Sequence, residues 1–330
     1  MNSFGRIFRI SIFGESHGEC VGITIDGCPA GLSLSPEDLL PDLEKRKGGK
    51  QKGTTPRQEE DYPIFKSGVF NGKTTGFPIT ILFENKNTRS EDYNKQRSIP
   101  RPGHADWVAH QKFGGNEDYR GGGHFSARLT TGIVAAGAIA KMLMKDITIQ
   151  AAVTEIGGEK DVEKGLQNAI DAKDSVGGII ECRVSGLPVG LGEPYFDSIE
   201  SSLAHIVFAI PAVRGVEFGT GFAAAKMFGS QHNDSIQNME GQTKTNHAGG
   251  VVGGISNGNE LVFRLAVKPT SSTPKEQNSL NWDTQQLENF SIKGRHDLCV
   301  ALRAPVIVEA VTALVLADFM LLEQKIKRIL

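Results

Sequence analysis

The chain of 330 residues is long enough for one large hydrophobic core or for two ordinary domains. Its composition, 39% hydrophobic and 22% charged, is typical of a soluble globular protein, and a net charge of −2 gives no general indication of a nucleic-acid partner. Four cysteines without a C-x-x-C pair fit neither a zinc site nor a disulfide framework, so we expect free thiols in a reducing cytoplasm and no bound metal.

One apolar segment, 306–322, raises the question of a membrane helix. Glu309 and Asp318 interrupt it, and it is shorter than the roughly 20 uninterrupted apolar residues that a span needs. The N-terminus also lacks the charged and apolar regions of a signal peptide. We therefore expect a buried helix and no membrane association.

The predicted elements follow from periodicity and from turn and cap residues. In the first half we predict strands at 7–13, 21–25, 64–70 and 77–83, and helices at 35–47, 105–113 and 129–144. Pro41 should kink or delay the first helix, and Asn71-Gly72 should form the turn between the third and fourth strands. In the second half we predict strands at 147–156, 178–185, 213–218 and 261–267, and helices at 161–172, 198–210, 223–228 and 305–329.

These strands and helices alternate without a regular βαβ order. That irregular order favours the α+β class over a doubly wound parallel sheet. No Pro-, Gly- or Ser-rich linker divides the sequence, so we predict a single domain over residues 1–330.

The first chemical motif, Gly14-Glu15-Ser16-His17-Gly18, has the G-x-S-x-G pattern of a serine-hydrolase nucleophile elbow. An elbow needs a strand, a sharp turn and then a helix, whereas residues 19–25 alternate and include β-branched side chains. The pattern therefore predicts a turn between two strands. For an isolated motif, an ordinary hairpin turn would be the simplest interpretation.

A second motif, Gly219–Ala224, fits the G-x-G-x-x-A pattern of dinucleotide-binding loops. The acid expected about 20 residues further on should end a strand, yet Asp234 and Glu240 lie in a polar, turn-like stretch. We favour a packing role for these glycines. A nicotinamide-dependent dehydrogenase is the alternative.

Histidine recurs beside glycine, with arginine or aspartate within three residues, at several distant places in the chain. The clusters are GESHG, RPGHAD (101–106), GGGHFSAR (121–128) and KGRHD (293–297). Glycine lets backbone N–H groups approach an anion, arginine binds phosphate with two hydrogen bonds, and histidine can donate a proton near neutral pH. Together they indicate a site for phosphorylated ligands with acid–base chemistry, although a non-catalytic binding protein for phosphorylated metabolites would share these features.

Taken together, the motifs resemble those of the chorismate synthase family. They keep one order over nearly the whole chain: GESHG, TTG with NTRSEDY, RPGHAD, DYRGGG, SAR, VRGVEFG, NHAGGVVGGIS, KPTSS and GRHD. The resemblance implies a β-α-β sandwich in which helices pack with mainly antiparallel sheets. It also implies a lyase of the shikimate pathway that converts 5-enolpyruvylshikimate 3-phosphate to chorismate and phosphate, by an anti-1,4-elimination that requires reduced FMN.

The resemblance also assigns roles by position. His17 would protonate the departing phosphate, His104 would be the proton partner of the reduced flavin, and Asp297 would assist proton removal. Ser16 and Ser126 would orient these groups. The basic residues implied for the substrate's phosphate and carboxylates are Arg46, Lys52, Arg101, Arg128 and Arg295. The flavin contacts implied are His124, Phe125, Ser126, Pro211, Ala212, Gly254, Lys268, Pro269, Thr270, Ser271, Ser272 and Arg295.

The chain departs from the family pattern at three of these motifs. His124 stands where many members have arginine, which predicts a flavin contact that weakens as the pH rises. Lys52 replaces an arginine and keeps the charge but loses the guanidinium fork. Leu298 replaces a proline, while Asp297 is kept, so we expect activity to be retained.

The resemblance has implications beyond the site itself. It implies a cytoplasmic homotetramer that acts on a small molecule. The flavin would be reduced by an external reductant, or by the NADP-linked reductase activity that some relatives carry.

Overall fold

Two antiparallel sheets enclose a layer of helices in the computed structural model, which describes residues 2–49, 52–57, 59–88, 97–292 and 296–326. The strands are β1 (Ser3–Phe4), β2 (Arg9–Gly14), β3 (Cys20–Asp26), β4 (Ile64–Ser67), β5 (Val69–Phe70), β6 (Lys73–Thr74), β7 (Ile79–Glu84), β8 (Thr148–Ile156), β9 (Gly178–Ser185), β10 (Val213–Phe218), β11 (Val251–Val252), β12 (Ile255–Ser256), β13 (Leu261–Val267), β14 (Gln277–Asn281) and β15 (Gln286–Phe290). The helices are α1 (Leu40–Arg46), α2 (Asp106–Phe113), α3 (Thr130–Leu143), α4 (Val162–Ala172), α5 (Ile199–Val207), α6 (Gly229–His232) and α7 (Pro305–Leu322).

The first sheet has the strand order β1-β2-β3-β7-β4, and the second has the order β10-β13-β9-β8. Neighbouring strands in both sheets run antiparallel. Helix α3 packs on β3 and β7 of the first sheet, α7 packs on β8 and β9 of the second, and the two helices pack on each other. The arrangement confirms the predicted α+β class and the predicted sandwich of helices and mainly antiparallel sheets.

Small side chains bring α3 and α7 unusually close together. A Cβ atom added to Gly137 of α3 would lie 2.4 Å from both Cα and Cβ of Ala310 in α7. No real Cβ tolerates that distance, so the alanine- and glycine-rich sequence of α3 is a packing requirement as well as a source of apolar surface.

We expect Gly137→Ala to lower the free energy of unfolding by about 1–3 kcal/mol. The overpacking cost in a close-packed core outweighs the roughly 1 kcal/mol that alanine contributes through its better helix propensity. Gly229→Ala is the matched control, because nothing lies within 4 Å of a Cβ at that helical position. Urea unfolding of both variants checks the expectation, and a Gly137→Ala protein as stable as the control would contradict the close helix contact.

Helix α7 is long and apolar enough to cross a membrane by length and composition, but 72% of it is buried inside the protein. The two acids that interrupt its sequence have structural partners. The carboxylate of Asp318 accepts hydrogen bonds from three backbone N–H groups at 6–8, at distances of 2.7–2.9 Å. Glu309 accepts from Lys141 Nζ at 2.8 Å and from Ala151 N at 3.1 Å. These contacts fit the expected core helix, which holds the N-terminal strands and the second sheet in place.

The observed elements differ from the predicted ones in several places. Residues Gly221–Lys226 form a 3₁₀ helix where an α-helix was predicted at 223–228. The predicted strand 64–70 is split into β4 and β5 by Gly68, which has a φ of +81°, so Asn71-Gly72 turns only the short β5–β6 hairpin. Helix α7 ends at Leu322 rather than 329, where Gln324 takes a left-handed conformation with a φ of +53°. The β14–β15 hairpin was not predicted, because its strands lack a run of apolar residues.

Candidate active site

Most of the predicted site residues meet around a cavity of about 540 Å³, a volume typical of small-molecule sites. The predicted residues that line it are Ser16, Arg46, Arg101, His104, His124, Phe125, Ser126, Arg128, Pro211, Ala212, Lys268, Pro269, Thr270, Ser271, Ser272 and Asp297. They come from loops on both sheets and on the helical layer, which explains why the motifs are so widely spaced in sequence.

The GESHG turn joins β2 directly to β3, because Gly14 pairs with Val21 across the two strands. A strand rather than a helix follows the motif, so the nucleophile-elbow interpretation is wrong. Ser16 and His17 are both buried beneath the loop that contains Gly121. A Cβ on Gly121 would lie 2.5 Å from His17 Cδ2. Because glycine has no Cβ, the backbone of this loop can pack directly against the imidazole ring.

Burial lowers the pKa of His17 below its ordinary value of 6.5. The positive charges of Arg57 and Arg120 lower it further, whereas Asp118 and Glu59 act in the opposite direction. His17 therefore favours the neutral form in the protein without ligand. A phosphate dianion beside it would favour the protonated form.

His104 is held by a carboxylate in its own motif. Its Nδ1 lies 2.6 Å from Asp106 Oδ1, and Arg101 donates to both oxygens of the same carboxylate at 2.7 Å. Burial raises the pKa of Asp106, but the hydrogen bonds from Arg101 and His104 outweigh burial and hold that pKa well below its usual range. An ionised Asp106 favours a proton on Nδ1 of His104, although Arg101 Nη2 also lies 3.0 Å from that nitrogen, and both contacts leave Nε2 as the nitrogen outside this cluster.

Arg46 and Arg128 share one buried carboxylate on the wall of the cavity. Arg46 Nη2 donates to Asp61 Oδ2 at 2.6 Å, and Arg128 Nη1 donates to Asp61 Oδ1. All three side chains are 5% exposed or less. The cluster has a formal charge of +1, and the Nε of Arg46 is buried without a hydrogen-bond partner. A buried excess positive charge with an unused donor suits an anionic ligand.

Asp297 is positioned by two groups from other parts of the chain. Its carboxylate accepts from Thr55 N at 2.8 Å and from Arg303 Nη1 at 2.9 Å. The same guanidinium donates from Nε to the carbonyl oxygen of Arg46 at 2.9 Å. Asp297 is therefore tied to the loop that follows α1 and to the segment that precedes α7.

The KPTSS segment and the Pro211-Ala212 segment lie side by side at the cavity, since Lys268 N donates to Ala212 O at 2.9 Å. Lys268 Nζ donates to Gly103 O at 2.5 Å and to Ser271 Oγ at 2.9 Å. The hydroxyl of Thr270 is buried and has no hydrogen-bond partner. This segment, the KPTSS wall, offers hydroxyl and ammonium donors, and the half-exposed ring of Phe125 lines the same cavity.

The second motif, Gly219–Ala224, follows β10, which pairs antiparallel with β13. A Cβ on Gly219 would lie 2.0 Å from the carbonyl oxygen of His247. The glycine therefore permits two loops to approach closely, and the motif does not stand in the βαβ unit of a dinucleotide fold.

Comparisons with known proteins show the family of the chain. A family model described as chorismate synthase matches residues 8–321. The chain belongs to the chorismate synthase family. A chorismate synthase of Chitinophaga pinensis is 67% identical over 330 residues, covering 100% of this chain and 99% of the relative. One from Dehalococcoides mccartyi is 45% identical, with the same coverage of both chains. A solved structure named as chorismate synthase superimposes with a TM-score of 0.74 at 27% identity, covering 97% of this chain and 93% of the other.

Membership of the chorismate synthase family confirms the resemblance found in the sequence and makes this protein an enzyme of the shikimate pathway that acts on a small molecule. Three predicted site residues that the structure describes do not line the cavity: His17, Lys52 and Gly254. His17 lies directly behind the lining, beneath Gly121. Lys52 is exposed and donates to Gln167 Oε1 at 2.8 Å. Gly254 lies in the β11–β12 turn, packed against Glu193 and Ser198. Arg295 lies outside the described residues, and the roles of all the predicted site residues stay predictions.

Three charged residues of the cavity lining that contact predicted site residues were not predicted from the sequence. Arg57, Asp61 and Arg303 all line the cavity and hold residues that were predicted. The sequence indicates them only by their location, because each lies within a few residues of a recognised motif or basic cluster. Charges in a polar stretch are usually solvated, so the sequence pattern could not distinguish these buried ones.

Proposed function

We propose that this protein converts 5-enolpyruvylshikimate 3-phosphate to chorismate and phosphate by an anti-1,4-elimination, as a lyase that depends on reduced FMN. One observation supports the proposal most strongly: a single cavity is lined by His104, Asp297 and three buried arginines, and His17 lies directly beneath Gly121, which also lines it. Arginines suit the phosphate and carboxylates of the substrate, and the histidines suit the proton transfers of an elimination.

The residues present fit a phosphorylated flavin. The KPTSS wall supplies Lys268 Nζ, the Ser272 hydroxyl and the unpartnered Thr270 hydroxyl, which are donors suited to an anionic or carbonyl-bearing ligand. The ring of Phe125 offers an apolar surface to an aromatic ring system. When bound, reduced FMN would supply electron density for the departure of phosphate and would take up the hydrogen.

The protein's own groups would bind the anion and move protons. Arg46 and Arg128 would bind the substrate's anionic groups, because their shared carboxylate neutralises only one of the two charges. His17 would donate a proton to the leaving phosphate, whose negative charge favours the protonated imidazole. His104 would exchange a proton at Nε2, since Asp106 holds Nδ1.

The direct test is an anaerobic assay with purified protein, chemically reduced FMN and 5-enolpyruvylshikimate 3-phosphate. We expect chorismate and inorganic phosphate to appear in equal amounts, and neither to appear when the flavin is left oxidised. Binding of the substrate without product formation would instead support a non-catalytic binding protein. Binding of a nicotinamide cofactor with no affinity for FMN would support a dehydrogenase.

Several expectations from the sequence stay predictions. They are the homotetramer, the cytoplasmic location, the weakening of the His124 flavin contact as the pH rises, and an external reductant in place of NADP-linked reductase activity. Sedimentation velocity of the purified protein tests the homotetramer, and FMN reduction by NADPH in the absence of other proteins tests the reductase activity.

A further inference from the structure

The conformation of the GESHG turn depends on an arginine outside every recognised motif. Arg57 donates from Nη1 to Ser16 Oγ at 3.2 Å and from Nη2 to the Ser16 carbonyl oxygen at 3.4 Å. Its side chain is largely buried on the cavity wall. A guanidinium that contacts both the side chain and the backbone of one residue restricts that residue's rotamer and the direction of its peptide.

Arg57 is itself held by a buried carboxylate. Its Nη2 and Nε donate to Glu59 Oε1 at 2.7 and 3.2 Å, and the Glu59 side chain is 5% exposed. Glu59 accepts in turn from the backbone N–H groups of Lys86 and Asn87, at 3.1 and 3.2 Å. Contacts therefore run from the end of β7 through Glu59 and Arg57 to Ser16.

We propose that Arg57, oriented by Glu59, is a positioning residue that fixes Ser16 and keeps a positive charge beside His17. The proposal rests on the proposed role of His17 as the proton donor to phosphate. In addition, Arg57 would link the geometry of the GESHG turn to the protonation of the His17 imidazole.

The charges around His17 support this coupling. Arg57 is the charged neighbour that lowers the pKa of His17 most, after the effect of burial, and Arg120 acts in the same direction. Asp118 and Glu59 raise that pKa. Arg57 and Glu59 form one ion pair but act in opposite directions on the pKa of His17. Removing the charge of Arg57 should therefore raise that pKa, and removing the charge of Glu59 should lower it.

The test is an NMR titration of the full-length protein with ¹³C-labelled histidine, in which the His17 signal is assigned by its loss in His17→Asn. Arg57→Gln should raise the pKa of His17, and Glu59→Gln should lower it. A purely structural role would disturb the same turn in both variants and would not predict opposite shifts. Arg9→Gln, which removes an exposed arginine paired with Asp26 on the outside of the first sheet, should leave the His17 titration unchanged.

Arg57→Lys separates the two parts of the proposal, because lysine keeps the charge but cannot form the guanidinium fork. We expect a His17 pKa near the wild-type value and a loss of roughly 10- to 100-fold in kcat, since Ser16 and His17 would no longer be held in place. This variant also keeps the proposal testable if Arg57→Gln fails to fold. In Arg57→Gln, the pH above which kcat/KM falls should move upward with the pKa of His17.

An unchanged His17 pKa in Arg57→Gln, or shifts of the same sign in Arg57→Gln and Glu59→Gln, would overturn the inference. The titration needs neither substrate nor flavin, so it can fail while the proposed function stands. If instead the anaerobic assay gave no product but the opposite shifts were observed, the proposed function would fail and the Arg57–His17 coupling would stand.

Discussion

Replacing His17 by alanine should lower turnover by roughly 10²-fold or more and should leave flavin affinity near the wild-type value. A positioned general acid typically contributes 10²- to 10⁴-fold to the rate. The imidazole lies beneath Gly121 and near Arg57, whereas the proposed flavin donors Lys268 and Thr270 belong to the KPTSS segment. Chorismate formation under anaerobic conditions gives kcat, and a fluorescence titration gives FMN affinity.

The control for this variant is His205→Ala, an exposed histidine of α5 whose ring packs edge-on against Phe4. We expect its turnover to match that of the unaltered protein. If His17→Ala also reacted at the wild-type rate, the assignment of the proton donor would be wrong, and His104 would become the group to examine. Loss of substrate affinity with unchanged kcat would instead indicate that His17 only binds the phosphate.

Much of the fold could be predicted because its core elements have clear periodicity. Strands β9 and β13 were predicted at their observed bounds, and α3 within one residue at each end. The buried pattern of β13 alternates along its whole length, as a half-buried strand requires. Elements of this kind carry most of the hydrophobic core, so their pattern alone indicates their structure.

The features that were missed depend on tertiary contacts or on a special backbone conformation rather than on a run of apolar residues. The β14–β15 hairpin is built from polar residues, and Trp282 at its turn stacks on His110 of α2, which is a tertiary contact that no local pattern shows. The end of α7 depends on a left-handed Gln324, a conformation that glycine would have signalled but glutamine does not.

The site shows the same division. Glycine and histidine motifs predicted most of the cavity lining, because glycine beside a polar side chain is informative at the level of sequence. Asp61 and Arg57 lie in the stretch TTPRQEEDY, which has the composition of a solvated loop. Their burial depends on the packing of this loop against the GESHG turn and the end of β7, so only the structure reveals it.

Asp61 is the residue in this loop whose loss should be most costly. It is buried in a left-handed conformation, with a φ of +51°, and it is the shared partner of Arg46 and Arg128. Asp61→Ala should lower the free energy of unfolding by about 3–5 kcal/mol, because removing one partner of a buried ion cluster leaves uncompensated charge. Urea unfolding measures the loss. Asp26→Ala, which breaks the exposed pair with Arg9, should cost only about 0–1 kcal/mol.

The contribution of Asp61 also has a predictable pH dependence. Burial raises the pKa of its carboxyl, but the charges of Arg46 and Arg128 outweigh burial and hold that pKa below its ordinary value. A carboxyl whose pKa is depressed on folding stabilises the protein fully above its unfolded pKa of about 3.9, and this stabilisation is lost as the pH falls through the folded value. The stability difference between the unaltered protein and Asp61→Ala should therefore be constant near neutral pH and should shrink under acid conditions.

An anion should partly replace the missing carboxylate, and this distinguishes electrostatic loss from simple loss of packing. Without Asp61 the two guanidiniums raise the formal charge of the cluster from +1 to +2, so inorganic phosphate in the cavity should bind more strongly to the folded variant. A ligand that binds only the folded state stabilises it in proportion to the logarithm of its occupancy. Added phosphate should then raise the unfolding midpoint of Asp61→Ala more than that of the unaltered protein. Equal increases in the two proteins would mean that Arg46 and Arg128 do not form the anion-binding side of the cavity.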